Sequence, residues 1–465
     1  MASKIILGLV LALLVYGAAG EKNPSTCSRS AQQCRIRRLR TVEPSRRLVS
    51  EGGVTEVWDT NEDEFQCAGV AAIRHTLQPN SQSQPNYQPA PMLVYIERGE
   101  GLMGLTYPGC AETYESQTSE DLRSRRGSQG RLGGQGEQQR ESRRTDQHQR
   151  VHRIRRGDIL AIPAGAAHWC YNDGNQELVA FAVMDLNNHA NQLDQQFRSF
   201  LLAGGEPRQG HRGQQRDSHN FQNIFSGFSA ELLAEAYNIP VEIVRRMQEN
   251  DERGLLVKCQ DEMRHIVRAD EDEEEEEGQR RVNGLEETVC TTRIRHNMDT
   301  RSESDIVSRQ AGRVNIVNQH KLPILRHLDM SAEKGHLFPN ALFTPNWAMN
   351  NHRVVYVTRG EAHVQISDDN GNNVFDERVS RGDVFVIPQF YVAMKRAGSN
   401  GFEYVAIKTS GQPMKSPLAG YTSVIRAMPI EVITNSFRMS PEEAQQLKYN
   451  RGRQSLVLSS SRTSS

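Results

Sequence analysis

Lysine is scarce in this chain. Nine of its 56 basic residues are Lys and the remaining 47 are Arg, so the amine that serves general-base and Schiff-base chemistry is nearly missing. No second apolar run matches Ile5 to Val15, which leaves no candidate for a membrane-spanning helix in the mature protein. There is no Cys-x-x-Cys and no tight Cys/His cluster, which excludes a structural zinc site. Neither Gly-x-x-x-x-Gly-Lys-Ser/Thr nor a strand-linked Gly-x-Gly-x-x-Gly occurs, so no phosphate-cradling loop is present. Ser226-Gly227 does not form Gly-x-Ser-x-Gly, and His75, His352 and His363 have no Ser or Cys in a nucleophile setting. The Arg-rich stretch from Thr118 to Gln149 lacks aromatics for base stacking, and the net charge of −1 gives no dedicated nucleic-acid partner.

What is abundant is side-chain nitrogen. Gln adds 33 residues to the 47 Arg; composition alone fits surface ion pairing or codon usage as well as nitrogen storage. The N-terminus carries Lys4, the apolar run, and small residues at Ala18, Ala19 and Gly20, the pattern of a secretory signal peptide over residues 1–20. About 445 residues then remain, enough for two or three domains with substantial cores. Seven cysteines in a secreted chain suggest disulfides with at least one thiol left over.

An internal repeat organises the chain. Met92-Leu-Val-Tyr-Ile-Glu-Arg-Gly99-Glu corresponds to Arg353-Val-Val-Tyr-Val-Thr-Arg-Gly360-Glu, and Arg156-Gly-Asp-Ile-Leu-Ala-Ile-Pro163 to Arg381-Gly-Asp-Val-Phe-Val-Ile-Pro388. Each copy ends in a further apolar strand, Leu178 to Met184 and Phe402 to Ile407. Short runs rich in Val, Ile and Tyr, punctuated by Gly, Asp and Pro, predict sequential antiparallel strands in a sandwich or barrel. Helical signals follow each copy: Ser229 as N-cap of Ala230 to Tyr237, Pro240 opening Val241 to Gln248, and Ser440-Pro441-Glu442-Glu443 opening another helix. Ile243, Val244 and Met247 share one helical face, as expected for core packing or a subunit contact. The paired motifs lie 58 residues apart in the first copy (Gly99 to Gly157) and 22 in the second (Gly360 to Gly382). The extra length is Ser/Arg/Gly/Gln-rich, near 118–149, and reads as a disordered loop, as does 204–219.

Between the copies an acidic run, Asp270 to Glu277, leads into Asn283-Gly284-Leu285-Glu286-Glu287-Thr288-Val289-Cys290. From Glu21 to Asn283 there are 33 basic and 40 acidic residues; from Gly284 to Ser465 there are 22 and 17. A solvated acidic loop leaves the Asn283–Gly284 bond accessible to a protease. The segment strongly resembles the cleavage junction of legumin-type (11S) seed storage globulins, and the Gly-Asp-x-x-x-Ile-Pro and Tyr-x-x-x-Gly-Glu motifs resemble those of the cupin superfamily. The resemblance implies a mainly β fold of two cupin jelly-roll β-barrels, each followed by a small α-helical extension. In this division 21–260 is the acidic N-terminal module, 261–283 a linker, and 284–465 the basic C-terminal module. It further implies cleavage after Asn283 by an asparaginyl endopeptidase, with bonds Cys34–Cys67 and Cys110–Cys290 and no assigned partner for Cys27, Cys170 and Cys259. Assembly from trimer to hexamer, helices at the trimer interface, deposition in the seed storage vacuole and possible allergenicity belong to the same implication.

Cupins are often metal enzymes, and each of the ligands they use has a defined position in this sequence. The family's site uses a His-x-His, a Glu and a further His. The first module keeps Gly157, Pro163, Gly165, His168 and Asn172 at family spacing, but Met92 takes the Glu position and no His lies among Pro85 to Gln88. In the second module Arg353, Asn346 to Met349, and Ala393 take the ligand positions. His168 is therefore a lone remnant, and no catalytic residue, metal or cofactor is expected. The rival readings are a secreted germin-like metal oxidase and a sugar-binding cupin, the latter drawing on Trp58, Trp169 and Trp347.

Overall fold

A computed structural model describes residues 36, 38–110, 112, 114–116, 146–205, 222–249, 253–260, 263, 266 and 290–459. The first module is two antiparallel sheets packed face to face. One runs Arg46–Ser50, Gly53–Trp58, Val70–Leu77, Leu178–Asp185, Met92–Arg98, Asp158–Ile162, Arg295–Asn297; the other runs Val151–Arg155, Glu100–Thr106, Ala167–Asn172, Ser81–Ser83, Leu256–Lys258, with Asn86–Tyr87 and Phe200–Leu201 attached. In the second module the strands Arg353–Ser367 and Val392–Lys408, of 15 and 17 residues, bend through both layers and join them into one ten-stranded sheet. This is the two-barrel architecture that the repeated motifs imply.

The motifs meet at equivalent points. Gly157 N donates to Ile96 O at 2.9 Å in the first barrel, and Gly382 N donates to Val357 O at 2.9 Å in the second. The following aspartates close equivalent turns: Asp158 Oδ2 accepts from Arg155 N at 2.9 Å and Asp383 Oδ2 from Ser380 N at 2.7 Å. Gly99 and Gly360 both have φ in the left-handed region, 82° and 71°, and a Cβ there would meet a carbonyl oxygen at 2.5 Å and 2.1 Å. No L side chain fits either place.

The two modules share one core. A single buried cluster holds Phe181, Val183 and Ile162 of the first module together with Val354, Tyr356, Val384 and Ile407 of the second. Every residue of Leu178–Asp185 is buried, because one face lines its own barrel and the other meets the neighbouring module. The repeat tyrosines sit at this junction and are held reciprocally: Lys334 Nζ donates to Tyr95 Oη at 2.8 Å, and Arg74 Nη1 donates to Tyr356 Oη at 3.3 Å. The modules also exchange backbone. Leu39 N donates to Val374 O and Val42 N to Val384 O, each at 2.8 Å, and Arg295–Asn297 pairs with Asp158–Leu160 of the first sheet.

The helices form where the caps place them. Ser229 Oγ accepts from Leu232 N at 3.2 Å at the start of Ala230–Tyr237, and Val241–Gln248 follows Pro240. Ser440 and Glu443 form a reciprocal capping box on Pro441–Tyr449, with distances of 3.2 and 2.8 Å. Val244 is buried, whereas Leu232, Tyr237, Phe437 and Leu447 remain exposed.

Candidate functional site

The interior of each barrel is where a cupin would hold its ligand. In the first, His168 lies on Ala167–Asn172 opposite Asn86, buried, with its Nδ1 3.1 Å from Ala166 O. Its neighbour His75, on Val70–Leu77, has Nδ1 2.9 Å from Thr55 Oγ1. Burial and then repulsion from His168 push His75 down to about 4, and burial lowers His168 as well, so both rings are neutral at neutral pH. Met92 stands buried at the position of the family Glu, and Gln88 Nε2 donates to Asn86 Oδ1 at 3.2 Å where the His-x-His would lie. Two imidazoles with amides and a thioether do not make an iron, manganese or zinc site. Among the described residues no group of three or more His, Cys, Asp or Glu is placed to hold a metal ion. The cupin metal does not fit this barrel.

The second barrel is lined by charge. Arg353 Nη1 donates to Asn346 Oδ1 at 2.9 Å, and Asn346 Nδ2 reaches Ala393 O at 3.3 Å, so the three positions that carry metal ligands in the family are bonded to one another. Beside them Glu333, on Ser331–Leu337, is buried and fully engaged. Tyr404 Oη donates to its Oε1 at 2.8 Å, Lys408 Nζ to its Oε2 at 2.7 Å, and Lys415 Nζ to the same oxygen. Burial alone would raise the Glu333 carboxyl, yet Lys408, Lys415 and Lys395 together hold it well below its ordinary value. Lys395 rests over the rings of Tyr404 and Phe343 at 4.3 and 4.9 Å. Burial, then repulsion from Arg353, pushes Lys395 down to about 7, and burial pushes Lys415 down to about 8.

This cluster was not foreseen from the sequence. The scarce lysines are its signal: Lys395, Lys408 and Lys415 all fall within strands of the second module, where Lys is disfavoured.

The first module is bonded covalently to the segment that follows the linker. Cys110 and Cys290 form a disulfide with Cα atoms 5.5 Å apart across 180 residues of sequence. Cys67 is also disulfide-bonded, while Cys27, Cys34, Asn283 and Gly284 lie outside the described residues. Cys170 and Cys259 are free thiols. Burial pushes Cys170 up to about 12 and raises Cys259, so neither offers a reactive thiolate. Trp58 is a core residue, its Nε1 donating to Val42 O at 2.8 Å.

Two jelly-roll barrels in one chain, neither with a metal-binding set among its described residues, define a two-cupin protein. The cupin family model matches residues 39–204 and 296–445. The chain is 54% identical to an 11S globulin seed storage protein of Sesamum indicum, covering 99% of this chain and 98% of that one. It is 42% identical to one of Carya illinoinensis over 100% and 98% of the respective lengths. The crystal structure of procruciferin, an 11S globulin from Brassica napus, superposes with a TM-score of 0.80 at 36% identity, covering 93% of this chain and 99% of that one. The chain belongs to the 11S globulin seed storage proteins, and its function is to hold nitrogen and amino acids in reserve for the seed. Its relatives are named as storage globulins, not as enzymes.

Proposed function

We propose that this storage globulin is cut after Asn283 by an asparaginyl endopeptidase into a larger acidic and a smaller basic chain, and that the cut converts a trimer into a hexamer in the seed storage vacuole. The observation that carries the proposal is the bond Cys110–Cys290, which ties the first barrel to a residue seven positions beyond the candidate scissile bond. Removal of the acidic linker's repulsion and bulk lets two trimer faces stack. Electrophoresis tests the covalent part: purified seed protein is expected to run as one band without reductant and as two with it. An Asn283→Gln proform should stay trimeric, and hexamers formed as readily as by wild type would overturn the role of the cut.

The trimer itself has a physical basis in the helical extensions. Leu232 and Phe437 are 66% and 54% exposed on helices of the first and second module, and apolar faces left uncovered this way mark subunit contacts. Because the two modules are near copies, the first-module helices of one protomer can face the second-module helices of the next, a heterologous contact that closes a ring. Leu232→Asp combined with Phe437→Asp is expected to leave the far-ultraviolet circular dichroism unchanged and to shift the proform from trimer to monomer in analytical ultracentrifugation. A sustained trimer would place the contact elsewhere.

The described residues carry no catalytic set, and the protein is proposed to act without enzymatic turnover. A germin-like oxidase would need about one tightly bound ion per active barrel. Metal analysis of the purified protein is expected to find less than about a tenth of that.

A further inference from the structure

We propose that the interior of the second barrel is a binding site for a small inorganic anion. Four cationic side chains, Arg353, Lys395, Lys408 and Lys415, converge there from Arg353–Ser367, Val392–Lys408 and Lys415–Pro417, against the single carboxylate of Glu333. The remaining titratable group facing them is Tyr404, whose hydroxyl is spent on Glu333. Both oxygens of Glu333 are taken, Oε1 by Tyr404 and Oε2 by Lys408 and Lys415. Lys395 is therefore left over. It is 3% exposed and, among the described residues, its ammonium contacts two aromatic rings and no hydrogen-bond acceptor. Arg353, 4% exposed, likewise keeps a buried Nε–H without a partner.

An ammonium buried without a protein acceptor loses its proton, takes an ordered water or takes an anion; four cationic side chains around one carboxylate favour the anion. An anion seated between Lys395 Nζ and Arg353 Nε would meet both unfilled donors and bring the local charge nearer to balance. Enclosure between side chains that are 3% and 4% exposed favours a small inorganic anion over a larger organic one. Because the anion favours protonated Lys395, its binding is coupled to proton uptake and weakens as pH rises. Among the described residues of the first barrel, the corresponding place holds two neutral histidines and no comparable charge.

The test is to desalt the full chain exhaustively at pH 6, denature it, and quantify released chloride, phosphate and sulfate by ion chromatography. About one anion per chain is expected, lost from Lys395→Met and from wild type desalted at pH 9. Retention at pH 9 should return in Lys395→Arg, whose charge persists; this arm decides the question if Lys395→Met does not fold. No anion at pH 6 would overturn the proposal. Equal retention in wild type at pH 6 and pH 9, or in Lys395→Met, would mark an adventitious surface ion and overturn it as well.

Discussion

Truncating Tyr356 to Ala is expected to destabilise the proform by about 3–5 kcal/mol and to weaken the attachment of one module to the other. Tyr356 is 1% exposed and stacks on Phe181 of the first module, with ring centroids 4.3 Å apart and planes inclined by 10°. Its hydroxyl donates to Glu97 Oε2 at 2.5 Å and accepts from Arg74 Nη1. The ring fills the shared core, so its loss leaves a cavity that neither barrel can close without moving against the other. Tyr356→Phe keeps the ring and is expected to cost about 0.5–1.5 kcal/mol for the lost hydrogen bonds, because Glu97 keeps its pair with Arg381 and Arg74 its pair with Glu56. Urea midpoints at unchanged slope check both values. Combining Tyr356→Ala with Phe181→Ala should cost less than the sum of the two, because each already forfeits the same stacked contact. The same junction bears on the cut protein. Leu39 and Val42 bond to the second barrel, and Arg295–Asn297 completes a sheet of the first. Cleaved and reduced chains are therefore expected to elute together in native gel filtration and to separate only in denaturant.

The repeat was legible because its signals are local. A Gly at positive φ and an Asp that caps the turn three residues back belong to the motif itself, and helix caps at Ser229, Pro240 and Ser440 act within one turn. What joins the modules was not legible. Nothing near Leu39 or Arg295 announces a partner more than a hundred residues away, and the apolar run Leu178–Asp185 reads the same whether its second face meets another module or a helix. In the candidate site, the failure of the metal ligands followed position by position from the motif, and the structure adds His75 as the neighbour of His168. The lysine cluster escaped for a different reason. Polarity assigns Lys395 to the solvent face, whereas strand parity assigns it inward: Ala393, Lys395 and Ala397 are buried while Arg396 is exposed. Parity counted from the ligand position at Ala393 would have found it. The Asn283–Gly284 junction rests on its sequence alone.

Replacing Glu333 with Gln is expected to cost about 3–5 kcal/mol near neutral pH, comparable with the loss of a large core ring. The amide still accepts from Tyr404, so what is removed is the one negative charge facing Arg353, Lys395, Lys408 and Lys415. The pH dependence separates charge from packing. Glu333 is held well below its unfolded value of 4.5, so its contribution is fully present above that value and is lost as pH falls toward the folded one. Lys395 and Lys415 behave oppositely: their folded values of about 7 and about 8 lie below the unfolded 10.5, so between those limits the unfolded chain binds more protons. Their contribution to stability therefore rises with pH across that window. In Glu333→Gln both lysines lose their counter-charge and fall further, so the deficit against wild type should shrink from pH 7 to pH 10, where neutral amines need no carboxylate. Urea midpoints of the two proteins at pH 7 and pH 10 measure this directly. A deficit of the same size at both would mean that Glu333 acts as a hydrogen-bond acceptor and space-filler, and that the charge of the cluster contributes little to the fold.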